Sequence, residues 1–403
     1  MEFEMKSLKL VTPHGDFLLN YQSEDLFLKD ILMVNGIPFN SVSAYKVDYM
    51  GNYQVIPCLN KKVAELVDEL EGDSLVFRAD RNIDYASVIN KHIDLYQDPN
   101  AEPTAEYTFD NHDGENKKHI LFSQKECHEF VKIEVDKFKE QFASAYSDEK
   151  IIVGISGGGD SNTLLTSLIH SGIKKENITP VMIMGIADWD KGINRAYKVC
   201  QEVGLQLLVM EKEEVNKIIR GTEGGHWAED FEKFYPDSDL EVIGTLGIRL
   251  VLSHVARQNK TNIIVTGLNL EDILAEAIFS MIKGENLSSF PIRKIDEIQI
   301  WYPLYRCPKR ILDGCHPKFS LENYMDRYPS NLYWRALSYY LAQSVSMVSS
   351  GIEFMLIDGL QKISYRNPIE LEYYNELGFS AIPDIPENIL SMWSEYINYG
   401  KNI

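Results

Sequence analysis

The sequence predicts an α/β protein organised on a doubly wound, five-stranded parallel sheet. A small α+β domain precedes the sheet and a mostly helical domain follows it. Three observations carry this expectation. Between residues 151 and 302, short runs of branched apolar residues alternate with longer segments whose apolar residues recur every three or four positions. The first run, residues 151–155, breaks into a serine, three glycines and an acid before a helical pattern begins. And 403 residues, 44% of them hydrophobic, exceed one ordinary domain and suffice for several cores.

Residues 1–95 read as the small α+β domain. Leu10 and Val11 on one side and Phe17, Leu18 and Leu19 on the other flank Pro13, His14 and Gly15, a hairpin pattern. Ser23 is placed to cap a helix carrying Leu26, Phe27, Ile31 and Val34, with Asn35-Gly36 as its stop. Strand-like pieces at 44–47, 53–56 and 75–77 give an order that fits either a β-grasp module or a generic α+β domain. Residues 96–118 are polar and turn-rich and read as a linker. Phe130, Val131, Val135, Phe138 and Phe142 then mark a helix, so 96–148 is linker and helix.

The central domain is 149–310. Its strands fall at 151–155, 179–187, 205–210, 262–267 and 298–302. Helices lie between them: Leu164, Leu165 and Leu168 share one face, as do Ala196, Val199, Cys200 and Val203, and helices at 239–258 and 270–282 follow. Residues 221–238, with Gly224-Gly225-His226-Trp227, interrupt the alternation. They read either as a mobile loop over the site or as an ordinary surface connection. From 311 to 403, Trp334, Leu337, Tyr340 and Leu341 set a helical period.

Composition narrows the function classes. A net charge of −20 weighs against a broad grip on nucleic acid and leaves room only for a local basic groove. Five scattered cysteines without a CxxC pair speak against a zinc knuckle or cysteine-ligated cluster and fit a reducing, cytoplasmic compartment. The acidic N-terminus lacks a signal-peptide core, and no apolar run reaches membrane-spanning length.

A glycine-rich turn feeding a helix presents unpaired N–H groups and the positive end of the helix dipole, a site for phosphate or pyrophosphate. No Gly-Lys-Ser/Thr follows, so this is not a Walker A loop, and Gly-X-Gly-X-X-Gly is absent. Ser156-Gly157-Gly158-Gly159-Asp160-Ser161 after a strand resembles the PP-loop of the N-type ATP pyrophosphatases, which have the adenine nucleotide alpha hydrolase-like fold. Two more segments within 149–312 extend the resemblance. Thr266-Gly267-Leu268-Asn269-Leu270-Glu271-Asp272 stands where relatives often carry Gly-His-Asn-X-Asp-Asp, with Leu268 in place of the histidine and Glu271 in place of one acid. Trp301-Tyr302-Pro303-Leu304-Tyr305-Arg306-Cys307-Pro308-Lys309 looks like the Pro-Leu motif, where a following basic residue commonly meets phosphate.

The resemblance implies ATP and Mg²⁺. Adenine is expected near Met184, Gly185 and Ile186. The amides of Gly157, Gly158 and Gly159 and the hydroxyls of Ser156 and Ser161 are expected around the departing pyrophosphate, with Gly267 and Asn269 beside the nucleotide. Asp160 and Asp272, with Glu271, would hold Mg²⁺, and Asp160, Arg306 and Lys309 would serve the chemistry. The implied reaction cleaves ATP between its α and β phosphates, adenylates an acceptor oxygen and lets a nucleophile displace AMP. Each acid also reads as a helix cap or first-turn residue, and Asp188 and Asp190 as ribose contacts or solvated loop residues.

Three functions stay open. The first is a ligase that adenylates a carbonyl or carboxylate oxygen of a small molecule or peptide for attack by an amine. The second is a sulfurtransferase acting on tRNA or a small molecule through Cys307 and Cys315, although Gly159 stands where sulfur-inserting relatives commonly have lysine. The third is a non-catalytic nucleotide sensor or scaffold whose N-terminal domain binds a protein. The aromatic C-terminal helices offer apolar surface for a homodimer.

Overall fold

The computed structural model describes residues 6–12, 15–35, 42–48, 50, 53–56, 61–67, 74–79, 103–110, 117–143, 148–236, 240–326, 333–348, 352–366 and 368–399. At the N-terminus, β1 (Lys6–Thr12) and β2 (Gly15–Tyr21) form the antiparallel hairpin that the sequence pattern requires. The helix α1 (Leu28–Val34) starts later than expected. Ser23 does not cap it: its hydroxyl accepts from the Asp25 N–H at 3.2 Å in a local turn, and Phe27 bridges to Lys62. Asn35 donates to the Ile31 and Asn20 carbonyls at 2.8 and 3.0 Å, tying the helix end to β2, while Gly36 lies outside the described residues. Then come β3 (Val42–Val47), β4 (Tyr53–Ile56), α2 (Val63–Val67) and β5 (Ser74–Ala79). The sheet order is β2-β1-β5-β3-β4, with β1 and β5 parallel. Alternate residues Leu8 and Leu10, with Leu28, Ile31, Leu32 and Phe77, form a core separate from the rest of the protein.

The stretch expected to be a linker contains a hairpin instead. β6 (Pro103–Asp110) pairs with β7 (Lys117–Ser123), Tyr107 is buried and donates to Glu353, and Thr104 donates to the Gly314 carbonyl at 2.8 Å. Polar and turn-forming residues on either side dilute the alternation of Ala105, Tyr107 and Phe109. Helix α3 (Gln124–Phe138) follows; the Ser123 N–H donates to Glu126 at 2.9 Å in a capping arrangement.

The central domain runs β8 (Ile151–Gly154), α4 (Gly159–His170), β9 (Ile178–Ile183), α5 (Ala187–Asp190), α6 (Ile193–Val203), β10 (Leu208–Met210), α7 (Lys212–Arg220), α8 (Trp227–Phe234), α9 (Leu240–Gln258), β11 (Ile263–Val265), α10 (Leu270–Lys283), β12 (Ile292–Ile295) and β13 (Ile298–Trp301). The sheet order is β10-β9-β8-β11-β13-β12. The five expected strands are parallel. A sixth, β12, pairs antiparallel with β13. Its charged Arg293 and Lys294 hide it in the sequence, and Asp296, at φ 53°, closes the turn between the two strands. Strand order reverses beside β8, so a crevice opens beyond the carboxyl ends of β8 and β11.

Of residues 221–238, the described part, residues 221–236, contains α8, whose Trp227 is 1% exposed, and the rest of the segment lies outside the described residues. Arg220 and Asp230 pair at 2.7 Å in the interior, and Arg220 also donates to the Tyr396 carbonyl at 3.1 Å. A segment fixed by a buried tryptophan and a buried ion pair has no freedom to act as a lid.

The C-terminal region carries α11 (Lys309–Cys315), α12 (Pro317–Asp326), α13 (Tyr333–Val348), α14 (Ile352–Arg366), the hairpin β14 (Glu372–Tyr374) and β15 (Phe379–Ala381), and α15 (Glu387–Asn398). It is mostly helical, as expected. It does not build its own core: Ala342, Ile357, Trp393 and Tyr396 join the same buried cluster as Ile152 and Val153 of β8. Among the described residues no helix is long and apolar enough to cross a membrane.

His128 and His316 meet edge to face at 5.0 Å, and Nδ1 of the first and Nε2 of the second have no partner among the described residues. Burial lowers the pKa of both, that of His316 to about 4. A depressed pKa contributes stability above the unfolded value of 6.5 that is lost as pH falls toward the folded one. His316→Phe, which can keep the stacking on Phe319, therefore removes roughly 2–3 kcal/mol of the acid destabilisation between pH 6.5 and 4. Urea melts of both proteins across that window check this; parallel pH profiles would contradict it.

Candidate active site

Helix α4 opens at the carboxyl end of β8. Its N-cap is Gly158, in extended backbone and without a side-chain cap. The N–H groups of Gly159, Asp160 and Ser161 carry no protein acceptor among the described residues. A buried helix start with three such donors has the geometry that can accept an anion. Ser161 turns its hydroxyl back into the loop, accepting from the Ser156 N–H at 3.1 Å and donating to the Gly158 carbonyl at 3.2 Å.

Neighbouring protein dictates the glycines as much as any ligand would. Gly157 has φ 73°, and a Cβ there would strike the Gly192 carbonyl, while one on Gly192 would strike that of Ser156. A Cβ on Gly159 would collide with Ser320, and Asn323 of α12 lies over Gly158. Arg195, on α6, donates through Nε to the Gly157 carbonyl at 2.9 Å and so fixes that peptide. Sequence reasoning missed Arg195 and Gly192. The available signal was a charged residue beside Ala196, Val199 and Cys200 on a face destined for burial.

The acids converge. Lys309, at the start of α11, donates to Asp160 Oδ1 at 2.6 Å and pairs with Asp313 at 2.8 Å. Asn269 donates to Asp160 Oδ2 at 3.1 Å and caps α10 by accepting from the Asp272 N–H at 2.9 Å. Tyr339 of α13 donates to Asp272 Oδ1 at 3.1 Å. Asn269 is 2% exposed, so it positions Asp160 and does not face the cavity. Glu271 turns away: its carboxylate accepts the Lys309 N–H at 2.9 Å, and burial raises its pKa to about 7. It caps α11 and does not join Asp160 and Asp272 as a metal ligand. Those two line the cavity, and among the described residues no cluster of three or more His, Cys, Asp or Glu is gathered to cage a metal. Two carboxylates beside a phosphate site suit Mg²⁺, which keeps waters and phosphate oxygens in its shell.

The cavity holds about 760 Å³. Its walls run from Val181, Met182 and Ile183 on β9, past Ser156, Asp160 and Ser161, across Thr266 and Gly267, to Tyr302, Ile295 and Arg293. From β9 to β12 is four strand spacings, about 19 Å. Met184, Gly185 and Ile186 do not line it. The Met184 carbonyl accepts from Trp227 Nε1 at 3.0 Å, the Gly185 N–H donates to Asp190 at 3.0 Å, and Ile186 is buried. Their backbone is spent on the protein, and the preceding residues of β9, with Trp189, form the apolar wall. Asp190 thereby holds a turn, and Asp188 forms an exposed pair with Lys191 at 2.8 Å.

Arg306 is not in the site. It pairs with Asp358, lies 3.5 Å from Glu134 and packs over Phe354, tying α3 to α14. Cys307 and Cys315 are fully buried, not at a site mouth, and burial raises both thiol pKa values far above the ordinary range.

The central domain is an α/β domain with a largely parallel sheet whose switch point lies beside an uncapped serine–glycine loop. Residues 130–234 match the NAD synthase family model. With the Ser-Gly-Gly-Gly-Asp-Ser loop, this match places the central domain in the PP-loop ATP pyrophosphatase superfamily, whose enzymes use ATP. No curated protein matches the chain in sequence. In shape the chain is similar to the U34-tRNA thiolase NcsA from Methanococcus maripaludis, at 19% identity, 70% of this chain, 90% of that one and a TM-score of 0.49. It is also similar to the NH3-dependent NAD synthetase from Campylobacter jejuni, at 14% identity, 63% and 100% coverage and a TM-score of 0.34. The corresponding figures for the NMN synthetase from Francisella tularensis are 15%, 63%, 99% and 0.36.

Proposed function

We propose that the chain activates an acceptor oxygen by adenylation and passes the activated group to an amine. The supporting observation is the set of three unspent N–H groups at the start of α4, beside Asp160 and Asp272, in a cavity that continues well past them. On this reading the adenine of ATP rests against Val181, Met182, Ile183 and Trp189, and its terminal phosphates sit at the helix start. A carbonyl or carboxylate oxygen of the acceptor bonds to the α phosphorus. The bond from that phosphorus to the bridging oxygen breaks, and pyrophosphate leaves with the electron pair toward the free N–H groups. The amine nitrogen then bonds to the activated carbon, the carbon–oxygen bond breaks, AMP leaves with that pair, and the amine releases a proton to solvent. Mg²⁺, held by Asp160 and Asp272, would offset phosphate charge. Lys309, donating to Asp160 Oδ1 at 2.6 Å, fixes the position of that carboxylate beside the cavity.

Incubating the full chain with ATP and candidate acceptors tests this. AMP and pyrophosphate in equal amounts are expected. ADP and phosphate, or tight ATP binding without turnover, would contradict it, the latter pointing to a sensor. A thiolate carrier at Cys307 or Cys315 requires an exposure neither has. Cys307→Ser is therefore expected to release pyrophosphate within about twofold of the parent rate, and a loss of turnover in a folded variant would revive sulfur transfer. The described cysteines are free thiols, in keeping with a reducing, cytoplasmic setting. The parallel β1–β5 centre supports a β-grasp reading of the N-terminal sheet, with a protein as its partner.

A further inference from the structure

The cavity does not end at the phosphate site. Its far end, against β12 and β13, is lined by Arg249 and Arg293, with Tyr302 and a single carboxylate, Glu276, while Arg335 of α13 lies 6.0 Å from the Tyr339 ring. In a chain of net charge −20 this local excess of guanidinium is selective. Glu276 is already taken: Arg293 Nη2 donates to it at 2.7 Å. Arg249, on α9, differs. Its Nη2 donates to the Ser380 carbonyl at 3.1 Å, and its guanidinium lies 4.8 Å from the Phe379 ring. No carboxylate forms an ion pair with it among the described residues. Asp296, the acid that acts on it through space, accepts instead from the Ser380 hydroxyl at 2.6 Å. Burial and the neighbouring Arg293 both disfavour its charge. A half-buried guanidinium facing a cavity without an ion-pair partner is compensated when an oxyanion arrives.

We infer that the acceptor carries an oxyanion, a carboxylate or a phosphate ester, and that Arg249 receives it at the β12–β13 end of the cavity. The name acceptor rests on the adenylation reading; the anion site does not. Placing the anion there puts the rest of the acceptor between Tyr302 and Asp272, leaving its reacting oxygen toward the phosphate loop.

Calorimetric titration of the full chain, with Mg²⁺ and α,β-methylene-ATP present, tests the site. The probes are benzoate and succinate for carboxylates, phenyl phosphate and glycerol 3-phosphate for phosphates, and benzamide, succinamide and glycerol as neutral counterparts. At least one anion class is expected to bind and its neutral counterpart not. Arg249→Met is expected to weaken that anion roughly ten- to a hundredfold, with Arg249→Lys intermediate. The better-binding class identifies the oxyanion. Equal binding of neutral and charged probes, no anion binding, or undiminished affinity in a folded Arg249→Met overturns the proposal. Affinity for the ATP analogue is read separately. If Arg249→Met loses it, the arginine serves the nucleotide and the assignment fails. If the parent chain binds the anion but no ATP analogue, the adenylation reading fails and the oxyanion site stands. Should Arg249→Met not fold, Arg249→Lys against the same probes decides.

Discussion

Asp160→Asn lowers pyrophosphate release by about a thousandfold or more and leaves the fold in place. The carboxylate has two ties, Lys309 at 2.6 Å on Oδ1 and Asn269 at 3.1 Å on Oδ2, and an open side facing the cavity. An amide keeps the first. It loses the second, because Asn269 is committed through its own oxygen to the Asp272 N–H and cannot turn over to match. One broken hydrogen bond to a charged group costs roughly 1.5–3 kcal/mol, a fraction of a domain's stability. The rate effect, about 4 kcal/mol or more in activation free energy, is larger because the charge itself is what a Mg²⁺–phosphate complex meets. Pyrophosphate release and a urea melt on the same preparation separate the two. A rate within about tenfold of the parent would reduce Asp160 to an acid in a helix first turn.

The largest expected loss of stability lies elsewhere. Arg220→Leu is expected to cost roughly 3–5 kcal/mol, because it strands Asp230, whose side chain is 4% exposed, without its buried partner. The guanidinium also holds the Tyr396 carbonyl at 3.1 Å, the Tyr399 carbonyl and Asn216 Oδ1 at 3.1 Å, so one side chain fastens α15 to α7 and α8. Lys233 at 2.6 Å, from an exposed position, and the His226 N–H at 3.0 Å still reach Asp230, which places the expected loss toward the lower end of that range. Replacing both partners removes the stranded charge. The double variant Arg220→Leu with Asp230→Leu is accordingly expected to be more stable than Arg220→Leu alone. Urea midpoints of the three proteins check this order. The same helix also braces the central sheet: its Trp227 donates to the Met184 carbonyl just after β9.

The central sheet was legible because its inner strands, such as β8 and β11, are buried and read as unbroken apolar runs. The antiparallel edge strand was not, since Arg293 turns into the cavity and Lys294 faces outward, and two charged residues in a row mask the apolar pattern. Within the site, Ser156, Asp160, Ser161, Gly267 and Asp272 were found from the resemblance of two short motifs to those of the ATP pyrophosphatases, and all five line the cavity. Lys309 was found from the same kind of motif and meets Asp160 directly. Arg306 shows where such reasoning stops. It stands three residues from Lys309, yet the turn into α11 sends it to Glu134 and Asp358 on other helices. Met184, Gly185 and Ile186 failed for another reason: Trp227 and Asp190 claim their backbone, and both act through tertiary contact or a turn that the motif does not specify. Arg249 was invisible because nothing in the sequence marks which residue of a long helix will face a cavity without an ion-pair partner.

A crystal structure of the full chain with Mg²⁺ and α,β-methylene-ATP puts the nucleotide reading to its most direct test. The outer two phosphates are expected on the N–H groups of Gly159, Asp160 and Ser161, with adenine against Val181, Met182 and Ile183. Density for the triphosphate elsewhere, with those three donors turned to protein or solvent, would contradict it.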